Sequence, residues 1–569
     1  MKSHFRRFKT KIKEIKYRPL FLQNLKKEFK GYNFRSFQKD LLAGLTVTAV
    51  ALPLALAFGI GTGATAQAGL ITAIIAGFLI GGLAGASFQI SGPTGAMVAI
   101  LLPLVAKHGM EAIFIAGFIA GILLIIAAIF NFGKIISIIP VPVIVGFTSG
   151  IALLIFLGQI DNFFGISTPA QESTLKKLLY YFENGSSMPN WWAVGISIVT
   201  IVFLFVFPKK WGKFVPAPLL ALIVTTAICV IAKLPVATIG EIPRSIFPDS
   251  RINFALIDWG LIKTIALPAV SIALLCMIES LLCGEVGSRM KKGEKLNTRQ
   301  ELISQGVGNM IIPFFGGVPA TAAIARTSVA IKAGGRTRLV SIIHAIGLLI
   351  AIFALAPVMS KIPMSVLAGI LIVTAWRMNE WVTIKFMFKK KSVGTLALFF
   401  ITMIATVAFD LTLAIVIGVA FSCLLFIIQI SRNTEIKIVP VDEKDLETKH
   451  KMVIKKPLGF IRVVFLTGPI FFSTVHKLTF EAAKLKDVTV IILSMRGVPI
   501  IDTSGIMEFY NLIDDLKAHK CSLMLSGVQK PVMAHLQKNG IIDKIGKDMV
   551  FWSAEQAISH AQDLEVGLP

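Results

Sequence analysis

The sequence predicts an α-helical polytopic membrane protein that ends in a small α/β domain. Three observations carry that prediction: a long uncharged run, a Gly/Pro interruption that occurs twice, and a change of character after Ser431. No charged side chain occurs between Asp40 and Lys107. Inside that run sits Ser91-Gly92-Pro93-Thr94-Gly95, followed by Ile139-Pro140-Val141-Pro142-Val143-Ile144-Val145-Gly146. Later, Gly316-Gly317-Val318-Pro319-Ala320-Thr321 precedes Ile362-Pro363-Met364-Ser365-Val366-Leu367-Ala368-Gly369. Pro93 and Pro140 are 47 residues apart, Pro319 and Pro363 are 44 apart, and both copies close on Ile-Pro-x-x-Val-x-x-Gly. Two apolar halves with a broken segment at matching places point to a repeat-built transport protein with its site at the interruptions.

Composition supports the membrane reading. The 569 residues are 55% hydrophobic and only 16% charged, with a mean hydropathy of +0.77. A soluble chain carries about a quarter charged residues. The apolar residues fill positions 41 to about 430, in runs that suit spans of roughly 20 residues. The net charge of +25 comes from 57 Lys and Arg against 32 Asp and Glu. The positive residues cluster between apolar spans, which argues for membrane orientation rather than nucleic-acid binding. Thirteen Lys and Arg lie in the first 39 residues. That is a cytoplasmic flank under the positive-inside rule, lying near anionic lipid. It is too long and too basic for a signal peptide.

Fourteen segments are expected, at about 41–60, 66–86, 92–106, 110–130, 135–158, 191–208, 215–234, 263–287, 299–315, 320–333, 338–358, 364–380, 393–409 and 411–430. They fall into repeats over about 40–234 and 262–430. The third and tenth are shorter than a span and open with Gly/Pro, so their broken backbone must lie inside protein or face a cavity. The basic loops (Lys209 to Lys213, Arg289 to Arg299, Lys332 to Arg338, Arg377 to Lys391) all fall on the side of the N-terminus. The loops at about 160–190 and 235–261 mix signs. Both termini are therefore expected in the cytoplasm. Twelve spans with two re-entrant segments would give the same sidedness. Beyond Ser431, strands at Thr434–Pro440, Phe460–Leu466, Val488–Leu493 and Ser522–Leu525 alternate with helices near 505–519 and from Lys530, an α/β pattern. The expected division is 1–39, 40–432 and 433–569.

The candidate chemistry lies at the interruptions. Pro93 is expected to open a helix, where its missing N–H costs nothing. The N–H groups of Thr94, Gly95 and Ala96 would then point outward, as would those around Thr321 to Ile324 in the second copy. Two such N-termini facing each other make an anion site without a full charge. The glycines could instead serve close helix packing alone; their recurrence in both copies favours the site. Glu279 lies within an otherwise uncharged stretch, where a carboxylate is costly unless paired, hydrated or protonated. Burial favours the neutral form of a carboxyl, which makes Glu279 a candidate proton carrier; a structural partner for Arg326 is the other reading. Arg326, in the short second-copy helix, could attract the anion, neutralise Glu279 or anchor the cytoplasmic end. Asp410 reads as an interfacial turn residue, and His108 and His344 receive no role. The five cysteines are scattered and form no metal-spaced pair. There is no nucleophile elbow, metal cluster or phosphate-binding loop, so neither an enzyme, a cofactor nor an ATP-driven pump is expected.

These motifs resemble the SulP sulfate-permease family of anion transporters, which includes prestin. The resemblance rests on Asp40-x-x-Ala43-Gly44-x-Thr46-Val47 with Pro53, Ser91 to Gly95, and Glu279-Ser280-Leu281-Leu282. It continues through Asn297 to Asn309, Gly316-Gly317-x-Pro319, Ala325-Arg326-Thr327 and Gly334-Gly335-Arg336-Thr337. The C-terminal region looks like a STAS domain, on Ile501-Asp502-Thr503-Ser504-Gly505. In related soluble STAS proteins this turn holds a phosphorylatable Ser. Here Asp502, Thr503 and Ser504 are read first as helix caps, with Ser504 as the regulatory alternative.

The resemblance implies seven plus seven inverted spans, a core part moving against a gate part, and a homodimer. It implies an anion-facing set of Pro53, Phe58, Thr94, Glu279, Ala323, Ile324 and Arg326. Sodium-coupled bicarbonate members carry Asp at the position of Glu279 and Thr at that of Cys283, so protons are expected here rather than sodium. The stretch from Ala320 to Arg326 is also similar to enterobacterial members that carry C4-dicarboxylates. The expected function is secondary transport of sulfate or a similar anion. An anion channel, a voltage-driven motor and a membrane-tethered STAS scaffold with a cytoplasmic partner are the other readings.

Overall fold

The computed structural model describes residues 20–133, 139–168, 177, 179–181, 183, 188–208, 216–248, 250–252, 259–291, 294–409, 411–442, 446, 454, 457–471 and 488–563. Most of the basic N-terminal flank, the loop at Lys209 to Lys213 and Asp410 lie outside them. Two compact units divide at Ala420 and Phe421.

A helix occupies each of the fourteen expected segments; the first thirteen fall in the first unit, and the last, Leu411–Arg432, spans the division. After α1 (Leu20–Glu28) come α2 (Phe34–Gly61), α3 (Ala66–Leu83) and α4 (Gly95–Ile129), which breaks at Gly109 into the third and fourth segments. They continue as α5 (Val141–Gly158), α6 (Ile160–Phe164), α7 (Trp191–Val206), α8 (Ala217–Ile231), α9 (Trp259–Met290) and α10 (Thr298–Ile311). The rest are α11 (Ile324–Lys332), α12 (Leu339–Ala354), α13 (Met364–Met378), α14 (Trp381–Lys390), α15 (Val393–Ala408) and α16 (Leu411–Arg432). Among the described residues, six helices are long and apolar enough to cross a membrane, and five shorter ones are apolar. Gly109 can make its break because its φ of 76° is open to glycine.

The helices sort into two packed groups. One joins α4 to α9 and α10, and α2 to α3, α11 and α12; the other joins α5 to α15 and α7 to α13. Without a hydrophobic drive between helices in lipid, close backbone approach holds each group together. A Cβ on Gly69 would fall 2.0 Å from the Ala55 carbonyl, and one on Gly146 2.5 Å from that of Phe399.

The loops at one end of the first group are held by buried polar contacts. Asp40 accepts from the Arg336 N–H at 2.6 Å, from the Thr337 hydroxyl at 2.5 Å and from the Tyr32 hydroxyl at 3.0 Å. Burial and donation to Asp40 push the Tyr32 phenol up to about 12, so it stays a donor. Glu28 pairs with Arg338, which also donates to the Gly82 carbonyl at 2.8 Å. The described end of the basic flank is thus tied into the helix bundle.

The second unit is a five-stranded sheet in chain order: β3 (Glu435–Pro440), β4 (Ile461–Thr467), β5 (Val490–Gly497), β6 (Ser522–Ser526) and β7 (Val550–Phe551). The first pair is antiparallel and the others parallel. Among its described residues are also helices α17 (Thr503–Ala518), α18 (Lys530–Lys538), α19 (Ile541–Ile545) and α20 (Ala554–Asp563). The sequence reading had marked neither the last strand nor the last two helices.

Glu294 supplies a test of the loop contacts. It takes the Ser87 N–H at 2.6 Å and pairs with Lys291 at 2.9 Å. Burial opposes its charge, yet Lys291 and Ser87 outweigh burial and hold its carboxyl below the ordinary value of 4.5. A depressed folded value means the contribution is fully present above about pH 4.5 and lost as the pH falls through that lower value. Glu294→Gln should therefore flatten the acid limb of stability. Melting temperatures from about pH 6 to about pH 3 measure this.

Candidate functional site

The site is organised by two very short strands. β1 (Ser91–Gly92) pairs antiparallel with β2 (Thr321–Ala322), Ser91 opposite Ala322 and Gly92 opposite Thr321. The Ala323 N–H adds a bond to the Ile90 carbonyl at 3.0 Å. Each strand runs into a helix, so antiparallel pairing sends α4 and the short α11 away from one crossing in opposite directions. The helices begin later than the sequence reading expected. Thr94 is the cap of α4, so Pro93 precedes the helix instead of opening it. The cause is local: Gly92 is held in the strand pair, and the Pro93 carbonyl accepts from Arg326. In the second copy Thr321 and Ala322 are strand, and α11 starts at Ile324 with Ala323 as its cap.

Neither cap position closes its helix with a side chain. Ala323 has nothing to offer. Thr94 turns its hydroxyl outward and donates to Glu279 Oε2 at 3.0 Å. The first N–H groups of both helices are therefore left for another acceptor. Thr94 is buried, Glu279 keeps part of its surface open, and Ile324 is 42% exposed at the start of α11. Gly95 lies under Phe58 and Ile155: a Cβ there would meet Phe58 Cε1 at 3.1 Å and Ile155 Cδ1 at 2.3 Å. Pro53 is buried inside α2, five residues before Phe58.

Arg326 is placed differently from the expectation. It is the third residue of α11, is 1% exposed and is not an end anchor. Its Nη2 donates to the Pro93 carbonyl at 2.8 Å. Its Nη1 is buried without a hydrogen-bond partner and lies 2.5 Å from where a Gly92 Cβ would be. Among the described ion pairs, none joins Arg326 to Glu279. The structure thus brings Phe58, Thr94, Gly95 and Glu279 together, with Arg326 bridging from the second copy to the first.

Sequence reasoning missed the polar layer behind the crossing. Gln305 donates to Ser91 Oγ at 3.0 Å and to Glu301 at 2.9 Å, and Glu301 also takes the Gly85 N–H at 2.9 Å. Ser280 and Thr321 share a bond of 3.0 Å. Asn309 clamps the Ala320 backbone, donating to its carbonyl at 2.9 Å and accepting its N–H at 2.7 Å. The signal was present: Glu301, Gln305 and Asn309 are spaced four apart, on one face of a helix. His344, given no role by the sequence reading, is wholly buried in α12, and neither ring nitrogen has a partner. In the second unit Asp502 caps α17, accepting the Gly505 N–H at 2.7 Å, while Thr503 and Ser504 are exposed.

Facing half-helices in a two-group helical bundle define a membrane transport protein, and comparison with known proteins sharpens this. The sulfate permease family profile matches residues 37–405 and the STAS domain profile residues 451–557. The chain belongs to the sulfate permease family, a family of multi-pass anion transporters, and carries a STAS domain. It is 36% identical over 534 residues to YvdB of Bacillus subtilis (strain 168), a protein named for sulfate transport, covering 92% of this chain and 97% of that one. It is 29% identical over 549 residues to the bicarbonate transporter BicA of Picosynechococcus, covering 93% and 95%. Among solved structures, a cyanobacterial BicA transmembrane domain matches at TM-score 0.61 with 29% identity, over 68% of this chain and 98% of that chain. The murine Slc26a9 anion transporter, in an inward-facing state, shares the fold at TM-score 0.82 with 18% identity, over 97% and 96%.

Two substitutions test the placements. Gly92→Ala forces a methyl onto the Arg326 guanidinium and should cost about 1–3 kcal/mol; a lowered melting temperature of the purified protein measures it. Asp502→Ala should cost about 1 kcal/mol at the α17 start and speed hydrogen exchange at the Gly505 amide, whereas Ser504→Ala should leave that exchange unchanged.

Proposed function

We propose that the chain is a secondary active transporter of sulfate or a similar small anion, coupled to protons through Glu279. The observation that carries this is the 3.0 Å bond from Thr94 to Glu279 at the start of a helix that lacks a side-chain cap. An anion seated between the two helix starts would accept the free N–H groups of Gly95, Ala96 and Ile324. A second anionic group beside it is tolerable chiefly when protonated, which links proton uptake to anion uptake. Arg326 Nη1 adds positive charge at the crossing. Transport would proceed as the α2–α4 and α9–α12 group slides against the α5–α8 and α13–α16 group, in an elevator-like alternation. The basic loops support both termini in the cytoplasm, and the family resemblance supports a homodimer whose STAS domain engages a cytoplasmic partner.

A second reading keeps the site and changes the anion to bicarbonate or a C4-dicarboxylate; likeness to BicA over most of both chains favours bicarbonate. Against sodium as coupling ion, Cys283 gives a sulfur in place of a hard oxygen ligand, and that sulfur is engaged with Thr327 at 3.2 Å.

Uptake of labelled sulfate, bicarbonate and succinate into proteoliposomes tests both readings. An inward proton gradient should accelerate uptake of the true substrate, and Glu279→Gln should abolish that acceleration. A wild-type response to the gradient in Glu279→Gln would remove Glu279 from coupling. Large uncoupled anion currents would replace the transporter reading with a channel.

A further inference from the structure

Beyond the crossing lies a second polar feature that the mechanism above does not use. A cavity of about 210 Å³ opens where α2 and α5 end. Roughly 10–15 Å³ on this measure holds one water, so a small hydrated anion fits. One wall is apolar and comes from α4 one to two turns beyond Thr94, with Val98 and Leu102. The facing wall brings Gln159, Asn162, Asp161 and Lys177. Ile155 lines the cavity and also packs over Gly95. Its side chain therefore stands between this space and the start of α4.

Lys177 and Asp161 form the charged part of the wall. They pair at 2.5 Å, with side chains 20% and 16% exposed. Asp161 is held from three directions: Lys177 and the Thr168 hydroxyl at 2.8 Å on Oδ2, and the Tyr181 hydroxyl on Oδ1. Burial and this donation push the Tyr181 phenol well above its ordinary value, which keeps it a donor. Both carboxylate oxygens are thus engaged within the cluster. An ammonium has three N–H groups, and this ion pair uses one of them. A cleft with apolar walls focuses such a charge.

We propose that this cavity is an outer waiting site for the transported anion, with Lys177 as its cation and Asp161 as the internal anion that holds Lys177 until substrate competes for it. The proposal rests on the transport reading and on the sidedness given above, which puts the 160–190 loop outside. It assigns Lys177 to capture and Ile155 to the barrier between capture and the half-helices. The two charged residues then act in opposite senses. Removing the cation weakens capture, and removing the competing carboxylate strengthens it.

The test is concentration-dependent uptake of labelled sulfate, bicarbonate and succinate into cells expressing the full chain. Lys177→Gln should raise KM about fivefold or more, with the loss carried in KM more than in kcat, and Lys177→Arg should restore most of it. Asp161→Asn should lower KM. Saturable wild-type uptake with unchanged KM in both variants would overturn the outer site and leave the transport reading intact. No wild-type uptake of any of the three anions would overturn the transport reading and the outer site with it. A KM change confined to efflux would overturn the outer placement. If Lys177→Gln fails to fold, Asp161→Asn decides: a lower KM supports the site, and an unchanged one overturns it.

Discussion

Two residues paired with two residues hold the membrane unit's centre together. Breaking a helix within a bilayer exposes N–H and C=O groups that lipid cannot satisfy. This chain breaks twice, and each break supplies partners for the other: Ser91 and Gly92 pair with Ala322 and Thr321, and the Ala323 N–H reaches Ile90. Side chains complete the accounting. Thr327 caps the Ile90 N–H at 3.1 Å, Asn309 clamps Ala320, and Thr72 joins Val318, accepting its N–H at 2.7 Å. Each interruption thus supplies backbone partners for the other, and the surrounding side chains satisfy the rest.

The same pairing explains why the helix starts are bare. A Thr at a cap position ordinarily accepts from the helix's own N–H groups, a contribution of about 1 kcal/mol. Thr94 gives that up to donate to Glu279, and the equivalent position in the second copy is an alanine. Buried, unpaired donors are costly, and a chain that leaves two sets of them at one crossing gains from an external acceptor. Arg326 follows the same logic. Its guanidinium uses one nitrogen to hold Pro93 in place and leaves Nη1 without a protein partner.

Most of the membrane unit was legible because a bilayer enforces simple rules. Runs of about 20 apolar residues and Gly/Pro breaks located all fourteen helical segments, whereas the pairing of Glu279 with Thr94 rather than Arg326 came only from the structure. What escaped had local causes. The strand pair delayed both half-helices, so Pro93 fell outside α4 and Arg326 came third in α11 instead of fifth; a two-residue strand has no periodicity to detect. The polar layer of Glu301, Gln305 and Asn309 was visible as a four-residue spacing but was absorbed into the family motif. The burial of His344 was not legible because hydropathy says nothing about which face of a helix is buried. In the second unit, β7 is two residues long and is defined by its neighbour β6 rather than by its own sequence.

The two copies are alike in backbone and unlike in side chain, and that difference gives the site a direction. The first half-helix carries the hydroxyl and touches the carboxylate; the second carries the cation and an exposed apolar first residue, Ile324. Symmetry of the backbone supplies donors from both sides, which suits any small oxyanion. Under the transport proposal, discrimination would come from the asymmetric groups: the length of Glu279, the reach of the Thr94 hydroxyl and the space left by Ala323. Because Arg326 holds the first copy from the second, any shift of α11 also moves Pro93 and with it the start of α4. The bond from Arg326 to the Pro93 carbonyl thus ties the start of α11 to the start of α4.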